Sequence, residues 1–144
     1  MESAEMGLTT TDGRRPRVAI VGGNSASAMV ASVLCQQFGC AVIITPTGES
    51  VLALLRRDMP VDMVVIDLSV PDMDGIVAVQ LIRAMGTRGA LPVVALTADR
   101  AEVATSRARA AGFSGTVVKP YSPRELFTAM QSALSKTSAA GATG

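Results

Sequence analysis

The sequence predicts a three-layer α/β domain, a doubly wound parallel sheet with helices on both faces. Two observations carry that expectation. Five short apolar runs recur along the chain: VAIV at 18–21, AVIIT at 41–45, DMVVID at 62–67, LPVVALT at 91–97 and GTVVK at 115–119. Each is rich in Val or Ile and nearly continuous rather than alternating, the pattern of a strand covered on both faces. The stretches between them carry helical spacing or capping signals, and parallel neighbours need right-handed crossovers of this kind. A chain of 144 residues with 49% hydrophobic side chains suffices for one such core and not for two.

The elements follow in order. Residues 1–15 read as a tail or linker, with RRPR at 14–17 a solvated charged lead-in to the first strand. Gly22 and Gly23 then turn the chain, and Asn24 or Ser25 caps a helix over 25–37. Its apolar stripe is Ala26, Met29, Val30, Val33 and Leu34, at i, i+3, i+4, i+7 and i+8. Val51, Leu52 and Leu55 mark a second helix over 49–58 that stops near Pro60, and Ala78, Leu81, Ile82 and Met85 mark a third over 76–86 that stops at Gly86. Two capping boxes open the last two helices, Asp99 with Glu102, and Ser122 with Glu125 and Pro123 at the first helical position. The small residues of 137–144 read as a second tail, leaving a folded unit over 16–136.

Composition excludes several function classes. Thirteen basic against 12 acidic residues give a net charge of +1, too little for an electrostatic grip on nucleic acid or an anionic membrane. No apolar run approaches the roughly 20 residues of a membrane helix. The N-terminus lacks a signal-type apolar core and carries Glu2, Glu5 and Asp12, so the expected location is the cytoplasm. Cys35 and Cys40 form no CxxC pair and the chain has no His, which excludes a zinc site and Cys–His catalysis; both read as small core residues.

In a doubly wound sheet the reactive site lies past the carboxyl ends of the strands. Those positions hold Gly22 and Gly23 after the first run, Thr45 and Pro46 after the second, Asp67 after the third, Thr97 after the fourth, and Lys119 with Pro120 after the fifth. A carboxylate flanked by a hydroxyl and an ammonium is a nucleophile with two groups to hold phosphoryl oxygens, the chemistry of an acyl phosphate.

The local sequences VVIDLSVPDMDG at 64–75, PVVALTA at 92–98 and AAGFSGTVVKPYSPREL at 110–126 resemble the receiver domains of response regulators, a likeness that covers residues 16–136. The resemblance implies a flavodoxin-like (βα)5 fold with strand order 2-1-3-4-5. It implies that Asp67 accepts a phosphoryl group, with Mg²⁺ required, from a phosphohistidine on a histidine kinase or histidine phosphotransfer domain. Thr97 becomes the hydroxyl and Lys119 the ammonium that meet the phosphoryl oxygens. Ala98 leaves access to the site, Pro120 follows Lys119 through a cis bond, and Gly75 relieves the backbone after PDMDG. ALTA and KPYSPREL further resemble receivers at the C-terminus of hybrid sensor histidine kinases, within a longer chain.

The likeness breaks at two places. The family places two acidic residues where this chain has Gly22 and Gly23, so the Mg²⁺ site is expected to be weak or absent, with Asp67 and the Ser69 backbone as remaining ligands. A charge pair about 4 Å apart contributes roughly 4 kcal/mol at an effective dielectric near 20, so losing two acids forfeits several kcal/mol of cation attraction. An Asp67–Lys119 ion pair is expected in the vacated place, while Asp72 and Asp74 are either relocated ligands or loop and capping residues. The second break is Thr116, where many receivers carry an aromatic residue that reports phosphorylation. A nucleotide cradle is disfavoured, because GGNSAS lacks both GxGxxG and GK[ST]. Two functions remain: phosphoryl acceptance at Asp67, or a pseudoreceiver that docks a protein without chemistry. For either, apolar surface on the first or last helix is the expected partner site.

Overall fold

The computed structural model describes residues 7–10, 12–22, 25–57, 59–68, 75–86, 89–98 and 112–143. Five strands, β1 (Arg17–Val21), β2 (Ala41–Thr45), β3 (Met63–Asp67), β4 (Val93–Thr97) and β5 (Gly115–Val118), form one sheet in the order β2-β1-β3-β4-β5. Every pair is parallel, with Val21 opposite Ile66, Asp67 opposite Leu96 and Thr97 opposite Val118. Burial follows position in the sheet. The central strands β3 and β4 are buried at every residue, whereas the edge strands β2 and β5 are mostly half-covered.

Four helices are described: α1 (Ala26–Gln37), α2 (Gly48–Arg56), α3 (Gly75–Arg83) and α4 (Pro123–Thr143). Alternation along the strands divides the core in two. Val18, Ile20, Met63, Val65, Val94 and Leu96 pack with α1 and α4, while Ala19, Val21, Val64, Ile66, Val93 and Ala95 pack with α2 and α3. The helix starts are set by side chains. Thr47 caps α2 by accepting from the Ser50 amide. Ser122 and Glu125 close a reciprocal capping box before α4: the Glu125 amide donates to Ser122 Oγ and the Ser122 amide to Glu125 Oε1. The Asp99–Glu102 box lies outside the described residues.

The first helix corrects the stripe expected to face the core. Ala28, Ala31, Leu34 and Cys35 are its buried residues. Met29, Val30 and Val33 are 63%, 51% and 53% exposed. The helix is apolar on both sides, and the side with two alanines lets its axis approach the sheet. On α3, Leu81 likewise faces outward while Ile76 and Val79 are buried.

Two segments expected to be tails have structure. Leu8 is buried in the α1–α4 core, and its amide donates to the Phe38 carbonyl at 2.8 Å. Thr10 and Arg14 close a turn beyond it, and Asp62 accepts from the Arg14 guanidinium and from the Arg17 amide. At the other end, α4 continues to Thr143. A half-buried arginine ties α3 to the start of β5: the Arg83 guanidinium donates to the carbonyls of Gly89, Leu91 and Gly112.

Candidate functional site

The register of three strands builds the site. Gly22 follows Val21 at the end of β1, Asp67 ends β3, and Lys119 follows Val118 at the end of β5. Continuing the alternation of each strand places all three on the face covered by α1 and α4. Thr97, 4% exposed, ends β4 at the same edge, and its carbonyl accepts from the Lys119 amide at 2.7 Å. The Lys119–Pro120 bond is cis.

Asp67 is the centre of this edge. Its side chain is fully buried, and Oδ1 accepts from Lys119 Nζ at 2.9 Å. Lys119 is 22% exposed, so the ammonium reaches inward while retaining contact with solvent. A carboxylate this deep needs a compensating charge, and removing one member of such a pair typically costs about 3–5 kcal/mol. The second oxygen, Oδ2, accepts from Ser25 Oγ at 3.0 Å. Ser25 is also the N-cap of α1, its hydroxyl accepting from the Ala28 amide at 3.0 Å.

Gly22 explains how Ser25 comes so close. A Cβ at position 22 would stand 2.8 Å from Ala28 Cβ, 3.1 Å from Asp67 Cβ and 3.2 Å from Ser25 Oγ. The space of a side chain at 22 has been taken by the first turn of α1. The described residues at this edge supply one carboxylate, Asp67, toward a divalent cation. Among the described residues, no group of three or more His, Cys, Asp or Glu could hold a metal ion, and both Asp67 oxygens already accept from this chain's own donors. Gly23, Ser69, Asp72 and Asp74 lie outside the described residues.

The remaining expected positions surround this centre without touching it in the contacts described. Ala98 is exposed just past β4, and Thr116 is half-buried on β5 opposite Ala95. Tyr121, two residues beyond Lys119, packs against the α1–α4 core. Its hydroxyl is buried with no hydrogen-bond partner among the described residues. Burial, reinforced by the Cys35 thiol and the Asp67 carboxylate, pushes the Tyr121 phenol up to about 12. Burial likewise raises the Cys35 and Cys40 thiols, which keeps both in the inert protonated form.

Sequence reasoning brought Asp67, Lys119 and Thr97 to one edge and missed Ser25 as part of it. The only local signal at Ser25 was capping, which accounts for half of what its hydroxyl does.

Known proteins share the sequence pattern and the fold of this chain. The chain is 30% identical over 120 residues to the sensor histidine kinase GacS of Pseudomonas protegens, covering 81% of this chain and 13% of that protein. It is 26% identical over 137 residues to histidine kinase 2 of Arabidopsis thaliana, covering 81% of this chain and 12% of that one. The chain thus spans a small part of the length of these relatives. Among solved structures, the chemotaxis response regulator CheY4 of Vibrio cholerae superposes with a TM-score of 0.73 at 25% identity, over 83% of this chain and 98% of that one. A CheY-like receiver domain protein from Methanospirillum hungatei shares the fold with a TM-score of 0.73 at 21% identity, over 86% of this chain and 97% of that one. The model of the response regulator receiver domain matches residues 18–131, and the chain belongs to that family.

Proposed function

We propose that this domain accepts a phosphoryl group on Asp67 from a phosphohistidine of a histidine kinase or phosphotransfer partner, with Lys119 in the place of the divalent cation. The observation that carries the reading is the fully buried Asp67 carboxylate held at 2.9 Å by Lys119. In the transfer an Asp67 oxygen attacks phosphorus, the P–N bond breaks, and the imidazole leaves and takes up a proton. Lys119 follows the charge from the carboxylate to the phosphoryl oxygens, and the Thr97 hydroxyl supplies a further donor. Mg²⁺, where bound, would neutralise the same oxygens; Asp67 is the one described carboxylate at this edge to hold it.

The outward face of α1 supports a helical protein partner. Met29, Val30 and Val33 recur at i, i+3/i+4 spacing on the helix that Ser25 joins to Asp67. An apolar stripe of this kind pairs with another amphipathic helix. Such a partner arrives beside the acceptor.

The test is intact-mass analysis of the whole chain incubated with acetyl phosphate, and separately with a phosphorylated histidine phosphotransfer domain, in Mg²⁺ and in chelator. A single phosphoryl adduct, absent from Asp67→Asn and little changed by chelator, is expected. No adduct under any condition would turn the reading to a docking module, and an adduct that vanishes with chelator would return the cation's role to a metal.

A further inference from the structure

The acceptor carboxylate is held from two sides, and one holder belongs to a helix. Ser25 Oγ donates its one proton to Asp67 Oδ2 and accepts from the Ala28 amide. One hydroxyl therefore joins the reactive group to the first turn of α1. No acidic residue lies in that turn, so the negative charge at this end of the helix comes from Asp67 across the Ser25 bond.

We propose that Ser25 is a positioning residue that orients Asp67 and carries its phosphorylation state into α1, an inference that rests on Asp67 being the acceptor. When an Asp67 oxygen bonds phosphorus, its charge moves out to the phosphoryl oxygens. The Ser25 proton follows that charge or turns away, and either movement changes the acceptor offered to the Ala28 amide. A phosphoryl group on Asp67 adds negative charge beside the N-cap of α1, which firms the first turn. Met29, Val30 and Val33 begin within that turn and the next, so the outer face of α1 senses the acceptor through one hydrogen bond. Gly22 is a condition of this link, because a side chain there would separate Ser25 from Asp67.

The experiment follows amide hydrogen exchange along α1 in the whole chain before and after acetyl phosphate, with adduct formation checked by intact mass. Wild type, Ser25→Ala, Ser25→Thr and Asp67→Asn are compared. In wild type, phosphorylation is expected to slow exchange at Ala28, Met29 and Val30 about fivefold. Ser25→Ala, which loses the cap and the link, is expected to exchange about fivefold faster at rest and to show no response on phosphorylation. Ser25→Thr, which keeps a hydroxyl, restores both. Equal responses in wild type and Ser25→Ala, or an unmoved α1 in phosphorylated wild type, would overturn the inference and leave Ser25 a cap alone. If wild type forms no adduct, the acceptor reading has failed, and Asp67→Asn then decides the link. A change in α1 exchange on Asp67→Asn that occurs in the wild-type background and is lost in the Ser25→Ala background sustains it, and an equal change in both backgrounds removes it.

Discussion

Gly22 is a packed position rather than an empty one. Its neighbours Ala28 and Ser25 belong to a helix start that has closed toward Asp67, leaving a Cβ at 22 only 2.8 Å from Ala28 Cβ. Gly22→Asp is therefore expected to destabilise the fold by about 1–3 kcal/mol, as overpacking does, and to gain no Mg²⁺ affinity. Relieving the crowding with Ala28→Gly in the same chain is expected to let Mg²⁺ binding appear; denaturant unfolding and a Mg²⁺ titration monitored by NMR check both. Tyr121 offers a second test at this scale. It is the sole tyrosine in a chain without Trp, so its ionisation is read directly by ultraviolet absorbance. The folded phenol titrates near 12, above its ordinary value of 10.0. The neutral phenol is favoured by folding, so its contribution is complete below the unfolded value and is lost as the pH rises through the folded one. An alkaline titration should find the phenolate forming near the folded value, and a midpoint at the unfolded one would contradict the buried hydroxyl.

Among the elements, α1 separates what was legible in the sequence from what was not. The strands were legible because continuous Val and Ile runs have one use in a small α/β domain, and all five lie where those runs stand. The start of α4 was legible because Ser122, Pro123 and Glu125 form a purely local signal. The orientation of α1 was not, since it carries apolar residues on both sides and the bulkier set drew the expectation inward. Packing chose the smaller set, Ala28 and Ala31, because close approach to the sheet rewards small residues. Ser25 was illegible as a site residue for a different reason: Asp67 is 42 residues away, and only the fold joins them. The exposed stripe leads to a prediction for the element. Met29→Lys and Val33→Lys are expected to shift unfolding free energy by no more than about 0.5 kcal/mol, as surface changes do. The same pair should weaken the complex with a phosphotransfer helix at least tenfold by titration calorimetry, and unchanged affinity would move the docking face elsewhere.

Across the whole molecule, the two core clusters and the lead-in share one load. Leu8 contributes to the α1–α4 cluster at only 4% exposure, from outside the span of residues that strand and helix patterns define. Leu8→Ala is expected to lower stability by about 2–4 kcal/mol by urea unfolding, the range for a core leucine, where a true tail residue would change nothing. The lead-in crosses the amino ends of the strands, at Phe38, Asp62 and Arg17, whereas Asp67 and Lys119 stand at the carboxyl ends. Five residues of strand put about 16 Å between those poles. The last helix starts beside Lys119 and runs 21 residues back toward the lead-in, about 31 Å and so past the end of the sheet. Both ends of the described chain thus lie at the pole opposite Asp67 and Lys119. A fold with that polarity keeps its chain ends at one pole and the Asp67–Lys119 pair at the other, so anything held at the ends and anything that reaches the pair use different surfaces.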